Sequence, residues 1–456
     1  MAKTEASTLQ VARPVSSYRE LIALLSCAYV VAFIDRGLVA TAGASLQLDL
    51  HLTDTQFGLL SGPAFVTFFC LCGVPLGWLA DRTSRQAVIA IGMCIWSLMT
   101  AACAFTSSFG GFFAARLGVG LGEACLVPAA LSMIRSATSS SKLAQSVGIF
   151  LMGAAVGNAV ALIGGGEFIG HASSVTGGIL GIGGVAPWRA LFVLSAVPGL
   201  ILAAFIMRLR VRPRAPSIAS LPLALRGACS LLNMQRSAYI WLTISTTCII
   251  VLSQTSVAWM PLWYVRHFGL SPGQSAIVVG LLFVMSAPTG QWLGGTFIDR
   301  VRSRGVPAAP HVIQAGSALL CLPFAWVFCS SSSLAISSSS YIIFNVLIFA
   351  ATPAGMTGWQ LITPQRTQGL TIALLVAAVT MAGIGLGQST VGMLSDTTRD
   401  LGSALFVTML AASLVGSICA MLGVPGFIKA SKQRSANGEK VSLDDQLLAR
   451  EMLENT

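Results

Sequence analysis

Long apolar segments separated by short polar stretches run through the whole chain. A segment of about 20 apolar residues is long enough to cross the hydrocarbon core of a bilayer as a helix. The pattern predicts twelve such helices, over residues 20–44, 57–80, 87–107, 109–134, 143–167, 188–208, 238–262, 275–297, 311–329, 335–358, 369–393 and 402–428. The predicted fold class is therefore an all-α membrane protein.

Composition agrees with this prediction. Of the 456 residues, 55% are hydrophobic and 9% are charged, whereas about a quarter of a typical soluble protein is charged. The 11 cysteines fall in or beside apolar segments, so we interpret them as small buried residues rather than a disulfide framework. The first apolar segment carries Asp35 and is too long for a cleaved signal peptide, so it is predicted to be a transmembrane helix.

Membrane topology explains the net charge of +11 better than a nucleic-acid partner does. If the N-terminus lies in the cytoplasm, all Lys and Arg residues fall in cytoplasmic segments except Arg36, Arg116, Arg189, Arg266 and Arg399. This asymmetry follows the positive-inside rule, which sets the orientation of membrane proteins. We therefore expect a multi-pass protein of a bacterial inner (plasma) membrane, in contact with membrane lipids and with both termini in the cytoplasm.

The longest interior polar stretch divides the twelve helices into two groups of six. The predicted units are a first bundle (1–208), a cytoplasmic linker (209–237), a second bundle (238–429) and a cytoplasmic tail (430–456). The tail is expected to be solvated chain, with a short amphipathic helix in "SLDDQLLAREML" as the alternative.

The two halves carry matching loops. "GWLADRTSRQ" (77–86) follows the second helix and "GTFIDRVRSR" (295–304) follows the eighth. One constant offset relates Gly77 to Gly295, Asp81 to Asp299, Arg82 to Arg300, Gln56 to Gln274 and Gly62 to Gly280. Repetition at a fixed offset indicates a duplicated unit, so we predict two pseudo-symmetric six-helix bundles in parallel order.

These loops are candidates for a conformational latch between the halves. A glycine lets its helix approach a neighbour closely, an Asp at a helix end caps a helix or pairs with an Arg, and the basic residues face the anionic inner leaflet. An ordinary charged turn is the alternative interpretation. The predicted latch, which would stabilise the outward-facing state, consists of Gly77, Asp81, Arg82, Arg85, Gly295, Asp299 and Arg300.

Four charged residues lie inside predicted helices: Asp35 and Arg36 in the first, Arg116 and Glu123 in the fourth. Left unpaired near the bilayer centre, they would cost about 10–14 kcal/mol together, so they must face the interior of the bundle and compensate one another. At about 1.5 Å per residue, Asp35 lies about 13 Å from the outer end of its helix and Arg116 about 10 Å from the outer end of its own.

This matching depth predicts that Asp35 and Arg116 are partners, with Glu123 two helical turns along the same stripe as Arg116. An acid beside an Arg changes protonation state as a cavity alternates between wet and dry. We therefore predict that Asp35 and Glu123 couple transport to protons and that Arg116 binds an anionic group of the substrate. A static buried ion pair is the alternative. Arg36, for which no partner is found, is a second candidate for substrate binding.

The seventh helix is unusually polar. Ser253 and Gln254 are candidates for substrate contact from the second half. Hydroxyl groups also bond to the backbone of their own helix, so helix packing is the alternative.

The chain resembles the major facilitator superfamily, whose signature loop is similar to Gly77–Arg85. Within it, the spinster-like branch is the most similar, through "FIDRGLV", "LTDTQFGLLSGPAF" (52–65), "WSLMTAACAF" (96–105) and "ARLGVGLGEACLVPAALSMI" (115–134). The resemblance implies the twelve-helix major facilitator fold and assigns the acid of the first helix and the Glu of the fourth to proton coupling. The organic-anion/cation symporter branch is the alternative.

Enzyme motifs are missing from the sequence. It has no GxxxxGK phosphate loop and no HExxH, so we expect neither an enzyme, a metal site nor a cofactor. The predicted function is secondary active transport of an organic anion or an amphipathic, lipid-like molecule by alternating access, coupled to protons, in a monomer. The alternatives are a carboxylate symporter or drug exporter of the same superfamily and, less favoured, a non-transporting membrane sensor.

Overall fold

The computed structural model describes residues 17–138, 142–175, 186–209, 230–364 and 368–454. Within these ranges, twelve helices are long and apolar enough to cross a membrane. They are α1 (Tyr18–Leu50), α2 (Asp54–Ser61 and Pro63–Arg82), α3 (Arg85–Cys103), α4 (Phe109–Glu123 and Leu126–Ala137), α5 (Leu143–Ala159, the π-helical turn Val160–Gly164 and Gly165–Val175), α6 (Pro187–Arg208), α7 (Arg236–Phe268), α8 (Pro272–Ser303), α9 (Ala309–Leu320 and Leu322–Ser330), α10 (Leu334–Ile362), α11 (Gln368–Thr398) and α12 (Leu401–Glu454).

The twelve predicted spans are confirmed, and the chain is a multi-pass membrane protein of two six-helix bundles. Helices α1–α6 form the first half and α7–α12 the second. Most of the predicted linker, residues 210–229, lies outside the described residues. The tail is helical, as in the alternative given above, because α12 continues to Glu454. Lys, Gln, Arg, Glu and Leu, which favour helix, fill most of this extension.

The start of each half's second helix shows the repeat in atomic detail. Thr53 caps α2 and Ser271 caps α8, each accepting a hydrogen bond from a backbone N–H three residues on. Gln56 and Gln274 close the same capping box by accepting from the backbone of the cap. These are equivalent positions of the repeat, so the two helices begin in the same way.

Packing of the two halves differs between the ends of the bundle. We call the end that contains Leu50, Asp54 and Phe268 the Asp54 end, and the opposite end, which contains Arg82 and Ser303, the Arg82 end. At the Asp54 end, one buried apolar cluster includes residues from both halves, such as Phe57 and Trp259. At the Arg82 end, the buried residues of the two halves belong to separate clusters. The halves are therefore joined at the Asp54 end.

Candidate functional site

Three of the four predicted intramembrane charges are almost completely buried in the first half. The exposed fractions are 0% for Asp35, 2% for Arg116 and 1% for Glu123. Asp35 lies in the middle of α1, while Arg116 and Glu123 lie on α4. The side chain of Arg36, next to Asp35, remains 20% exposed. The structure thus brings all four residues together, whereas the depth argument grouped only Asp35, Arg116 and Glu123.

The ion pair in this cluster joins Arg36 to Glu123. Nε of Arg36 donates a hydrogen bond of 2.7 Å to Oε2 of Glu123. The other oxygen of Glu123, Oε1, is buried and has no hydrogen-bond partner in the part of the chain that the structure describes. Arg36, the residue for which sequence reasoning found no counter-charge, is therefore the partner of the Glu on α4.

The predicted pairing of Asp35 with Arg116 is wrong at the level of contact. No nitrogen of Arg116 lies within 4.0 Å of a carboxylate oxygen of either acid in this described cluster. Asp35 instead accepts a long hydrogen bond of 3.4 Å from Thr100 of α3, and its second oxygen has no partner among the described side chains and backbone groups. Nε and Nη1 of Arg116 are also buried, and no described residue accepts a hydrogen bond from them. Counting residues along a helix predicts the depth of a side chain in the membrane, but the rotation of α1 about its axis decides whether Asp35 or Arg36 faces α4.

Three phenylalanines surround the guanidinium of Arg36. Its central carbon lies 4.5 Å, 4.8 Å and 4.7 Å from the ring centroids of Phe33, Phe65 and Phe69. The guanidinium of Arg116 lies 5.3 Å from the same Phe65 ring. Cation–π contacts of this kind contribute about 0.5–2 kcal/mol each, depending on desolvation. Sequence reasoning treated these rings as ordinary apolar residues and missed this role.

A glycine on α4 positions Phe65. A Cβ atom on Gly120 would overlap the carbonyl oxygen of Phe65, so only glycine allows α2 and α4 to approach this closely. The close approach holds the Phe65 ring beside both arginines. The "RLGVGLGE" sequence of α4 therefore supplies close packing as well as two of the charges.

The second half supplies no ionised group to this cluster among the described residues. The predicted substrate contact Ser253 donates to the carbonyl of Ile250 on its own helix at 3.2 Å, a bond of the kind expected for helix packing. Gln254 is half-buried and makes no hydrogen bond with a described residue. Its amide is the freer of the two candidates.

An ion-pair network at the Asp54 end joins the two halves. Arg266 of α7 contacts both carboxylate oxygens of Asp54 on α2, at 2.7 Å and 2.5 Å, and donates to Gln47 of α1 at 3.0 Å. Ser395 of α11 donates to Asp54 at 2.5 Å. Asp396 of α11 accepts from the backbone N–H groups of Asp54 and Thr55 at 3.0 Å and 2.8 Å, where a carboxylate stabilises a helix N-terminus.

Sequence reasoning did not find this network. Its residues stand at helix ends, where charged side chains are usually solvated, and they belong to different halves. No local signal relates the start of α2 to the end of α7. Because one carboxylate, Asp54, contacts three helices, the network fixes the halves together at this end.

The predicted latch residues make contacts within their own halves. Gly77 packs against Pro128 of α4, and a Cβ there would lie 3.0 Å from the proline ring. Arg82 stacks on Trp78, with 4.3 Å between the guanidinium carbon and the ring centroid. Arg85 donates to Ser132 and Ser136 on α4.

The second copy of the latch motif makes fewer contacts. Asp299 and Arg300 make no side-chain hydrogen bond or ion pair with a described residue, and a Cβ at Gly295 would meet open space. The side chain of Asp81 lies outside the described residues. A latch at the Arg82 end is expected to be disengaged when the halves are joined at the Asp54 end, so the prediction remains a hypothesis.

Comparison with known proteins gives a consistent family assignment. The family model of the Major Facilitator Superfamily matches residues 25–388. A solved bacterial homolog to the human lysosomal transporter Spinster is 24% identical, with a TM-score of 0.77 over 92% of this chain and 98% of that one. An MFS-type efflux pump of Mycolicibacterium smegmatis is 23% identical, with 87% of this chain and 90% of that protein aligned. Protein spinster homolog 1 of Xenopus tropicalis is 22% identical, covering 90% and 80%.

Proposed function

This chain belongs to the Major Facilitator Superfamily, and we propose that it is a proton-coupled secondary transporter that carries an organic anion or an amphipathic, lipid-like molecule by alternating access. Its resemblance to spinster-like proteins and the transporter fold support the general class. The substrate, the coupling ion and the roles of individual residues are parts of the proposal.

The observation that carries the proposal is the set of unused polar atoms in the charged cluster. Two nitrogens of Arg116, one oxygen of Asp35 and one of Glu123 are buried without hydrogen-bond partners among the described residues. Each such group costs about 1–3 kcal/mol of stability, and charged groups cost more. A cluster that serves only to hold helices together would satisfy these atoms, whereas a binding site keeps them for a ligand.

Charge balance links anion binding to proton binding. With Asp35 and Glu123 ionised, the two acids balance the two arginines. An anionic group bound by Arg116 adds a negative charge to a buried site, where an uncompensated charge is expensive. A proton bound by either acid restores neutrality. Binding of the anion therefore favours binding of a proton, which is the requirement for symport.

The described conformation fits an inward-facing state. The ion-pair network and the shared apolar cluster close the Asp54 end. By the positive-inside rule, the Arg82 end, with Arg82, Arg300 and Arg302, faces the cytoplasm. The site would then exchange substrate with the cytoplasm in this state and with the outside after the Asp54 end opens. The inner-membrane location, cytoplasmic termini and monomeric state belong to the same proposal.

A drug exporter is the second candidate, favoured by the alignment with the mycobacterial efflux pump over most of both chains. An exporter of cationic drugs would use Glu123 and its surrounding rings more than Arg116. The two candidate functions therefore differ in the residue that the ligand requires, which is Arg116 for an anion and Glu123 for a cationic drug.

The test begins with a thermal-shift screen of the purified protein against small carboxylates, lysolipid-like amphiphiles and cationic drugs. A stabilising compound is then tested for uptake into proteoliposomes with and without an imposed pH gradient. We expect an anionic compound to be taken up when the gradient is imposed, and we expect Arg116→Gln to abolish its binding. Binding of a cationic drug that Arg116→Gln leaves intact would favour the exporter. If no stabilising compound is carried under any gradient, transport itself is contradicted.

A further inference from the structure

The two helices of the first half that pack most extensively on the second half, α2 and α5, are both interrupted. Helix α2 breaks at Gly62, between the segments Asp54–Ser61 and Pro63–Arg82. Gly62 has φ −108° and ψ −90°, outside the helical region, and Pro63 has no N–H to donate to the preceding turn. In α5, the turn Val160–Gly164 is π-helical, with an extra residue inserted into the helix. Interruptions of both kinds are common causes of helix bending.

The two interruptions lie at the same depth. Gly62 packs on α11, where an added Cβ would lie 2.7 Å from the carbonyl of Ile384. Its equivalent in the second half is Gly280 of α8, and a Cβ there would lie 2.7 Å from Ile163 in the π-helical turn. The partner helices of the second half are continuous at this level, as α8 (Pro272–Ser303) and α11 (Gln368–Thr398). At this level, the helices of the first half are therefore interrupted and their partner helices in the second half are not.

The segments beyond the interruptions contact the second half closely. Asp54 at the start of α2 binds Arg266 and Ser395, and the backbone there passes so near α11 that only glycine fits at position 392. On the other side of the bundle, Gly166 of α5 meets Gly273 of α8, where a Cβ on Gly273 would lie 2.6 Å from the carbonyl of Gly166.

Below the interruptions, α2 and α5 pack tightly within the first half. Gly120 and Pro128 of α4 contact α2, and Gly153 of α5 packs on the carbonyl of Ser26 in α1. The one hydrogen bond described between this part of α2 and α11 is a weak one of 3.3 Å, from the thiol of Cys70 to a backbone carbonyl.

Thr41 links the π-helical turn to the charged helix α1. Its hydroxyl lies 3.0 Å from the carbonyl oxygens of both Gly37 and Ala161. Thr41, six residues after Asp35 on α1, therefore donates a hydrogen bond to a carbonyl oxygen inside the π-helical turn. A change in α1 that moves Thr41 would remove the hydrogen bond that this turn receives from outside its own helix.

We infer that Gly62 and the π-helical turn Val160–Gly164 are paired hinges, and that the segments Asp54–Ser61 and Gly165–His171 form a gate that moves relative to the rest of the first half. This inference rests on the proposed alternating access, because it specifies how the Asp54 end opens. In a strictly rigid movement of two bundles, the segments would instead keep fixed positions within the first half.

Distances between pairs of spin labels separate the two motions. In a background without native cysteines, labels at Thr53 and Ser107 report the position of the α2 segment within the first half. Labels at Ser271 and Ser332 form the matched control within the second half, since Ser271 is equivalent to Thr53 and α8 is continuous. A third pair, Ser107 and Ser332, reports separation of the halves. The Asp54 end is forced open by Gly273→Trp, because no side chain fits at Gly273.

We expect Gly273→Trp to lengthen the Ser107–Ser332 distance and to shift the Thr53–Ser107 distribution by several ångströms, with the Ser271–Ser332 control unchanged. An unchanged Thr53–Ser107 distribution in halves that do separate overturns the hinge. Failure of the halves to separate counts instead against alternating access.

A substitution in α2 tests the hinge without labels. Pro63→Ala restores the missing N–H and removes the ring that breaks the helix, so it should stiffen the hinge. Because motions of this kind often limit turnover, we expect the transport rate to fall roughly tenfold. Pro75→Ala, which removes the other proline inside α2, is the matched control and should keep the wild-type rate. Equal rates for both variants at unchanged thermal stability would overturn the hinge.

Discussion

Arg36 on α1 donates a 2.7 Å hydrogen bond to Glu123 on α4, and this contact joins two helices of the first half through a charge pair inside the membrane. Among the described residues, the adjacent Asp35 has no such partner and accepts a hydrogen bond only from Thr100. Two neighbouring charged residues of α1 therefore differ in whether their charge is paired. One is neutralised and surrounded by aromatic rings, and the other is buried with a free oxygen.

The first prediction concerns the stability of the Arg36–Glu123 pair. Arg36→Ala leaves Glu123 buried without its partner, a change that costs roughly 3–5 kcal/mol for a fully buried pair. The partial exposure of Arg36 moves the expected loss toward the lower end. Because the loss comes from an unpaired charge, Glu123→Gln in the same protein should recover part of it. Thermal unfolding of the two single variants and the double variant forms a cycle, and additive losses would show that the pair is not coupled.

Arg116 should respond in the opposite direction. Its Nε and Nη1 are buried without a hydrogen-bond partner among the described residues, and its charge balances one of the two buried acids. We expect Arg116→Met combined with Asp35→Asn, which removes one buried charge of each sign, to raise thermal stability by about 1–4 kcal/mol, as for other buried opposite charges replaced together by neutral residues. Substrate binding should be lost at the same time. A variant that is less stable than the wild type would show that Arg116 is a structural residue.

A third prediction concerns the network at the Asp54 end. Arg266→Gln removes a contact to both oxygens of Asp54, and we expect a lower melting temperature together with greater access of polar thiol reagents to a cysteine placed at Thr255 beneath the network. Arg399→Gln is the matched control, since Arg399 lines the same cleft but its side chain makes no described contact. If both variants give the wild-type labelling rate, the network does not hold the halves together.

The fourth prediction tests the close packing that positions Phe65. Gly120→Ala places a methyl group onto the carbonyl of Phe65, so α2 and α4 must separate and the ring must leave the arginines. We expect lower thermal stability and loss of substrate binding. Gly110→Ala, at the start of the same helix, has open space for the methyl group and should be neutral or slightly stabilising. Similar behaviour of the two variants would contradict the role of Gly120.

The number of helices and the depth of the charges were predictable because the bilayer imposes both. A span needs a fixed length of apolar chain, and buried charges must collect inside the bundle. The choice of Arg36 rather than Asp35 as the residue of α1 that pairs with a charge on α4 was not predictable. It depends on the rotation of α1 about its axis, which is fixed by close contacts such as that of Gly157 with the carbonyl of Val30.

The Asp54–Arg266 network was unpredictable for a different reason. Its two residues lie far apart in the sequence and meet only when the two halves are joined at one end. The charge pattern along the chain indicates which side each residue lies on, but it carries no information about the conformation in which they meet. The interruptions at Gly62 and Val160–Gly164 were likewise missed, since an apolar run gives no sign of a π-helical turn.

The most direct test of the account measures proton movement with substrate. Proteoliposomes containing a pH-sensitive dye and no imposed gradient receive an anionic substrate found in the thermal-shift screen. We expect the wild type to move protons together with the substrate, and Glu123→Gln to carry the substrate downhill without proton movement. Glu20→Gln, which changes an exposed acid of α1, should behave like the wild type. Substrate flux without proton movement in the wild type, or full proton movement in both Glu123→Gln and Asp35→Asn, would contradict the account.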